Sequence, residues 1–155
     1  MSGTVHNSIN IVNRRAAFNF FISETWEAGV MLLGTEVKAI REGKANLTDS
    51  FCYFKNDELW LKNLHISPYE HGSYSNHEAK RERKLLLHKK QLVKILSKVK
   101  EKGTTLIPVK LYENERGIIK IELGLAKGKK LFDKRESLKE AESKRDIDRA
   151  MKKFI

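Results

Sequence analysis

The sequence predicts a mainly β body, a small antiparallel barrel with two or three helices, followed by a basic C-terminal tail. Three observations predict it. Apolar and polar residues alternate with a period of two through short stretches, most clearly residues 107–111 and 119–125. Turn-forming clusters separate such stretches, as in Lys55-Asn56-Asp57-Glu58 and Glu113-Asn114-Glu115-Arg116-Gly117. The clearest helical stripe falls between early and late strands rather than after every strand, so the regular βαβ order of a parallel sheet is absent.

Taken in order, residues 1–9 are polar and are expected to form a flexible N-terminus. Residues 18–22 and 26–33 are rich in aromatic and apolar side chains and read as one long strand, bulged around Ala28-Gly29. Gly34-Thr35 opens a short helix, with Thr35 as N-cap, Glu36 at its positive end, Val37 and Ile40 on one face, and Gly43 closing it. Residues 47–54 and 59–66 are strands on either side of the first turn cluster, and a polar loop spans 67–76. Residues 84–102 read as a helix, because Leu85, Leu92, Leu96 and Val99 form one stripe and Gly103 follows at the C′ position. The alternating stretches at 107–111 and 119–125 then make a hairpin.

Five or six strands with an inserted helix fit an OB-fold-like antiparallel barrel, which offers loops and one face to nucleic acid. This body is expected to occupy residues 10–130. The tail, 131–155, has only the thin stripe Leu138, Ala141, Ile147, Ala150, Met151 and Phe154. Glu140–Lys144 and Asp148–Lys152 are favourable helical pairs, whereas Arg145, Arg149 and Lys153 repel one another unless a polyanion lies beside them. Such a segment is expected to be disordered when free and helical on its partner.

Charge points to that partner. The 155 residues carry a formal net charge of +11. Residues 1–60 hold six Lys/Arg against seven Asp/Glu, and residues 61–155 hold twenty-five against thirteen. All the excess lies in the later part, as in a nucleic-acid footprint. The single cysteine, Cys52, lies in an apolar strand with no CxxC partner and reads as core, which suits an intracellular chain. No apolar run approaches the ~20 residues needed to span a membrane, and residues 1–10 lack the apolar centre of a signal peptide. A cytoplasmic location is expected.

Enzymatic and metal chemistry find little support. His65, His71, His77 and His88 lack ligand spacing, and the chain has no nucleophile elbow, Walker loop or glycine-rich cradle. No cofactor is expected. The candidates for RNA contact are Asn13-Arg14-Arg15, the short helix with Lys38 and Arg41, Lys44 just beyond it, and Lys80-Arg81-Glu82-Arg83-Lys84. Glu27 stands apart among them. Phosphate repels a carboxylate, so Glu27 serves RNA only by accepting hydrogen bonds from base amino groups or by holding an arginine; otherwise it is an exposed strand residue.

Eight segments now fall into a pattern. Asn13-Arg14-Arg15-Ala16, Glu27-Ala28-Gly29, Gly34-Thr35-Glu36-Val37-Lys38, Arg41-Glu42-Gly43-Lys44-Ala45-Asn46, Asp49-Ser50, Arg83-Lys84-Leu85-Leu86-Leu87, Ala126-Lys127-Gly128-Lys129-Lys130 and Asp133-Lys134-Arg135 occur in that order. The succession resembles the SmpB family of tmRNA-binding proteins from about residue 10 to the end. The resemblance implies an OB-fold body that holds the tRNA-like domain of tmRNA, takes the place of a missing anticodon arm, and delivers the complex to stalled ribosomes in trans-translation. It implies no bond chemistry by the protein, and a monomer when RNA-bound.

Carried over by motif, the RNA-binding candidates are Asn13, Arg15, Glu27, Ala28, Gly29, Glu36, Lys38, Arg41, Lys44, Leu86 and Lys120. Leu86 fits the core beneath that surface as well as the surface itself. Lys127, Lys129, Lys130, Phe132, Asp133, Lys134 and Arg135 match the tail that acts in the decoding centre against small-subunit rRNA, with the helix beyond in the vacant mRNA channel. The family commonly has His or Tyr where this chain has Phe132, which keeps stacking but removes a side-chain hydrogen bond. The alternative is a general OB-fold RNA-binding or ribosomal protein, which has no need of the hinge joining Gly128-Lys129-Lys130 to Asp133-Lys134-Arg135.

Overall fold

A computed structural model describes residues 9–72 and 76–153, the side chains of Leu131, Phe132 and Lys153 aside. The chain runs β1 (Asn10–Val12), α1 (Arg14–Asn19), β2 (Phe20–Val30), α2 (Gly34–Arg41), β3 (Ala45–Asn46), β4 (Phe51–Lys55), β5 (Glu58–Lys62), β6 (His65–Ile66), β7 (Arg83–Leu86), α3 (Lys89–Val99), β8 (Thr104–Glu113), β9 (Ile119–Gly128) and α4 (Leu131–Lys153). Seven strands form one antiparallel sheet in the order β1-β8-β4-β5-β7-β2-β9, and β8 also pairs with β9. The path of neighbours therefore returns to β8, and the sheet rolls around its own apolar face. The β-rich antiparallel class expected from the alternation holds.

Period-two patterning places the core. Ile119, Ile121 and Leu123 on β9, Leu106 and Leu111 on β8, and Leu59 and Leu61 on β5 are all buried inside the roll. Ile40 of α2 and Ile95 of α3 plug it. The turn between β4 and β5 has positive φ at both Asn56 (51°) and Asp57 (60°), the geometry that matches the twist of a two-residue hairpin. Pro108 has no N–H for the ladder, and the β8–β9 register shifts between Pro108 and Lys110.

Several expectations need correcting. The long strand expected from residue 18 begins at Phe20: Asn13 caps α1, its Oδ1 accepting from the Ala16 N–H at 3.3 Å, so Phe18 and Asn19 are helical. Ile9 packs on the core and its carbonyl accepts from the Glu113 N–H at 3.1 Å, so it belongs to the body; residues 1–8 lie outside the described residues. The N-cap of α2 is Leu33 rather than Thr35, whose hydroxyl meets His77 Nδ1 at 2.9 Å. At the other end Gly43 (φ 75°) donates to Ile40 O at 2.8 Å and Lys44 donates to Ala39 O at 3.0 Å, a Schellman closure as expected of that glycine.

The helix expected over residues 84–102 is shorter. Arg83–Leu86 is β7, with Arg83 and Leu85 buried and Leu86 exposed; α3 begins at Lys89 and packs through Leu92, Ile95 and Val99. Residues 131–153 of the tail form the helix α4. Its described residues are almost all exposed, so it draws little support from the body.

Candidate nucleic-acid interface

The strands that make the roll also bring one end of it together into a groove. Its volume is about 600 Å³, and its lining includes Glu27, Gly29, Leu86, His88, Ile118 and Lys120. The register explains the assembly. Gly29 pairs with Leu86 on β7 and with Lys120 on β9, while Glu27 pairs with Glu122 on β9. A Cβ on Gly29 would sit 3.3 Å from Leu86 Cβ, so glycine lets the neighbouring strand carry a large side chain close by. Leu86 is 48% exposed, so it is not part of the core. Ala28, between the two lining residues of β2, points into the core at 1% exposure.

The outer face of this sheet carries charge in register. Lys120 and Glu122 point outward between buried Ile119, Ile121 and Leu123, and Glu122 pairs in turn with Lys110 on β8. Tyr112 pairs with Lys120, and its hydroxyl donates to Glu27 Oε2. The Lys110 ammonium lies 5.1 Å from the Tyr112 ring. Tyr112, Lys110, Glu122 and His88 were not among the RNA-contact candidates read from the sequence; alternation alone would have placed Glu122 outward beside Lys120.

The α2 candidates are tied rather than free. The Arg41 guanidinium donates to Gly117 O at 3.3 Å and lies 3.5 Å from Glu113, next to the Ile118 rim of the groove. Lys44 lies 3.0 Å from Glu70 and 3.2 Å from Glu42, and the hydrogen bonds to these carboxylates hold its pKa above the ordinary lysine value. Lys38 is exposed, its ammonium 5.5 Å over the Tyr69 ring.

Glu36 has another job. It is fully buried, accepting from Arg83, from Arg81 at 2.5 Å and from the Leu33 N–H at 2.8 Å. Burial pushes its pKa up, but the Arg81 hydrogen bond, the Leu33 N–H and Arg83 outweigh it, and the net shift is downward. Arg83, itself 0% exposed, also donates to Leu64 O at 2.8 Å. The triad fastens α2 to β7, so the Glu36 carboxylate is engaged inside the protein.

Asn13 and Arg15 lie elsewhere. Asn13 is 7% exposed, its Nδ2 donating to Pro108 O at 2.9 Å. Arg15 is exposed, 3.9 Å from Asp49, beside a separate cleft of about 280 Å³ lined in part by Phe20 and Phe51. Phe20 and Gly29 stand nine residues apart on β2, about 30 Å of extended chain. The sequence had grouped these two residues with Glu27; the fold separates them.

The tail candidates begin inside the sheet. Lys127 is a residue of β9, paired with Phe21. The Lys129 N–H donates to Asn19 O at 2.8 Å, and its ammonium donates to Ala17 O at 3.0 Å and to Ser137 Oγ at 2.7 Å, 4.9 Å from the Phe21 ring. It joins α1, β2 and α4. Lys130 and Arg135 are exposed, and Asp133 and Lys134 half-buried, while the Phe132 side chain lies outside the described residues. Among the described residues no cluster of three or more His, Cys, Asp or Glu is placed to hold a metal ion, and no helix is long and apolar enough to cross a membrane.

A β-rich body with a charged groove at one end and a basic helix leaving the other is the build of an RNA-binding protein. The comparisons name the family. Residues 10–153 match the model described as SmpB protein, and the chain belongs to that family. It is 53% identical over 146 residues to the SsrA-binding protein of Bacteroides thetaiotaomicron, covering 94% of this chain and 97% of the relative. With that of Christiangramia forsetii it shares 49% over 152 residues, 98% and 97% of the two chains. A solved structure described as "tmRNA-SmpB: a journey to the center of the bacterial ribosome" superposes with a TM-score of 0.69 at 52% identity, covering 84% of this chain and 94% of that one.

Proposed function

We propose that this chain is a tmRNA-binding protein of trans-translation, working in the cytoplasm and catalysing no bond change itself. Its body holds the tRNA-like domain, and its tail acts on the ribosome. The observation that carries this reading is the convergence of Glu27, Gly29, Leu86 and Lys120, candidates from three strands, on one groove in a chain of this family. Lys120 offers a phosphate contact, Glu27 an acceptor for base amino groups, and Leu86 an apolar surface against which a base or sugar packs. Arg41 and Lys38 extend the same surface along α2. Their ties to Glu113 and Tyr69 keep them in place until phosphate competes for them.

The tail reading concerns Lys127, Lys129, Lys130, Phe132, Asp133, Lys134 and Arg135, with residues 136–155 entering the vacant channel. Its exposed, highly charged face leaves helix formation in the free protein marginal, and a polyanion would stabilise it. The testing experiment is recovery of bound RNA from cells expressing the tagged chain. One abundant RNA with a tRNA-like end supports the proposal. Ribosomal RNA alone, with no such species, would favour a structural ribosome-binding role instead.

A further inference from the structure

Glu27 is an odd residue for an RNA-facing surface, and its surroundings make it odder. Its direct cross-strand neighbour is Glu122, so two carboxylates stand on the same face of adjacent strands, an arrangement that like-charge repulsion disfavours. Lys110 faces Glu122 from the far side. Glu27 is instead met by the Tyr112 hydroxyl, which reaches diagonally across β9 to Oε2. The Glu27 Oε1 atom has no protein donor among the described residues. Tyr112 does not itself line the groove, whereas Glu27 does.

We propose that Tyr112 is the positioning residue of the RNA site: its hydroxyl fixes one oxygen of Glu27 so that the other is held ready for the exocyclic amino group of an RNA base. A flexible glutamate on an exposed strand would lose side-chain entropy on accepting such a bond, and a carboxylate already held by one donor loses less. Held between Glu122 and the groove, an unsteered carboxylate would also swing away from its neighbour and from the RNA. Burial, the bond to Glu27 and the nearby acids push the Tyr112 phenol well above its ordinary pKa, so it remains a donor at any working pH. Lys110 over the ring fixes the ring plane. This inference rests on the groove being the site for the tRNA-like domain.

The test is a binding titration with a transcript of the tRNA-like domain alone, using the full chain, Tyr112→Phe, Glu27→Ala and the double variant. Phenylalanine keeps the ring and its Lys110 contact, so the thermal midpoint should not move. Affinity should fall about three- to tenfold in Tyr112→Phe, the range for losing a partly exposed hydrogen bond to a charge. Glu27→Ala should lose at least as much, and the double variant no more than Glu27→Ala alone. Unchanged affinity in Tyr112→Phe, or losses that multiply in the double variant, would overturn the positioning role. If the unmodified chain does not bind the transcript, the groove assignment itself fails and this inference falls with it.

Discussion

Single residues divide here into those that hold the fold and those left open at the surface, and Glu36 and Glu27 show the two kinds. Removing Glu36 leaves Arg83 buried without its counter-ion, so Glu36→Ala should cost about 3–5 kcal/mol in denaturant unfolding. Because its folded pKa is lowered, this contribution is complete above the ordinary carboxylate range and is lost as pH falls through the lower folded value. The acid limb of the stability curve should therefore shift in Glu36→Gln, and an unmoved limb would contradict the assignment. Glu27→Gln should instead leave stability alone and weaken RNA binding, since an amide accepts less strongly than a carboxylate. Tighter binding after removing that charge would show that Glu27 merely repels phosphate. Both residues entered the interface through the family resemblance, carried over by motif. What separates them is a contact with Arg83, 47 residues away, that no local pattern contains.

Among the elements, the hairpin of β8 and β9 and the closure of α2 at Gly43 were legible because alternation and glycine are local signals. Arg83–Leu86 was not, because Leu85 happens to fall in phase with the stripe of α3, and only its pairing to β2 and β5 reveals a strand. The six-residue α1 was hidden because Phe18 runs on into the aromatic residues of β2, although Asn13 carried a cap signal. The tail element supplies its own prediction. If the Phe132 ring stacks on an RNA base, Phe132→Tyr should retain tagging of stalled chains and Phe132→Ala should reduce it, each with unchanged affinity for the tRNA-like domain. Equal tagging by all three proteins would remove the ring from the mechanism.

At the scale of the whole molecule, charge is distributed so that the excess lies beyond residue 60, most densely on α3 and around the junction of β9 with α4. Binding should therefore release counterions, and affinity should fall by ~10²-fold or more between low and moderately high salt if a handful of phosphates are neutralised. A flat salt dependence would be incompatible with this footprint.

The fold separates the groove from the tail: Gly29 lies near one end of β2, while Lys129, beside Phe21, holds the start of α4 near the other. The α4 helix of 23 residues spans about 34 Å at ~1.5 Å per residue, long enough to act well away from the body. The most direct test of this division is a chain ending at Lys130, measured in parallel by titration with the tRNA-like transcript and by tagging on ribosomes stalled at a message end. The truncated chain should fold, bind the transcript nearly as tightly as the full protein, and fail to tag. Full-rate tagging without the tail, or loss of RNA binding with it, would contradict the account.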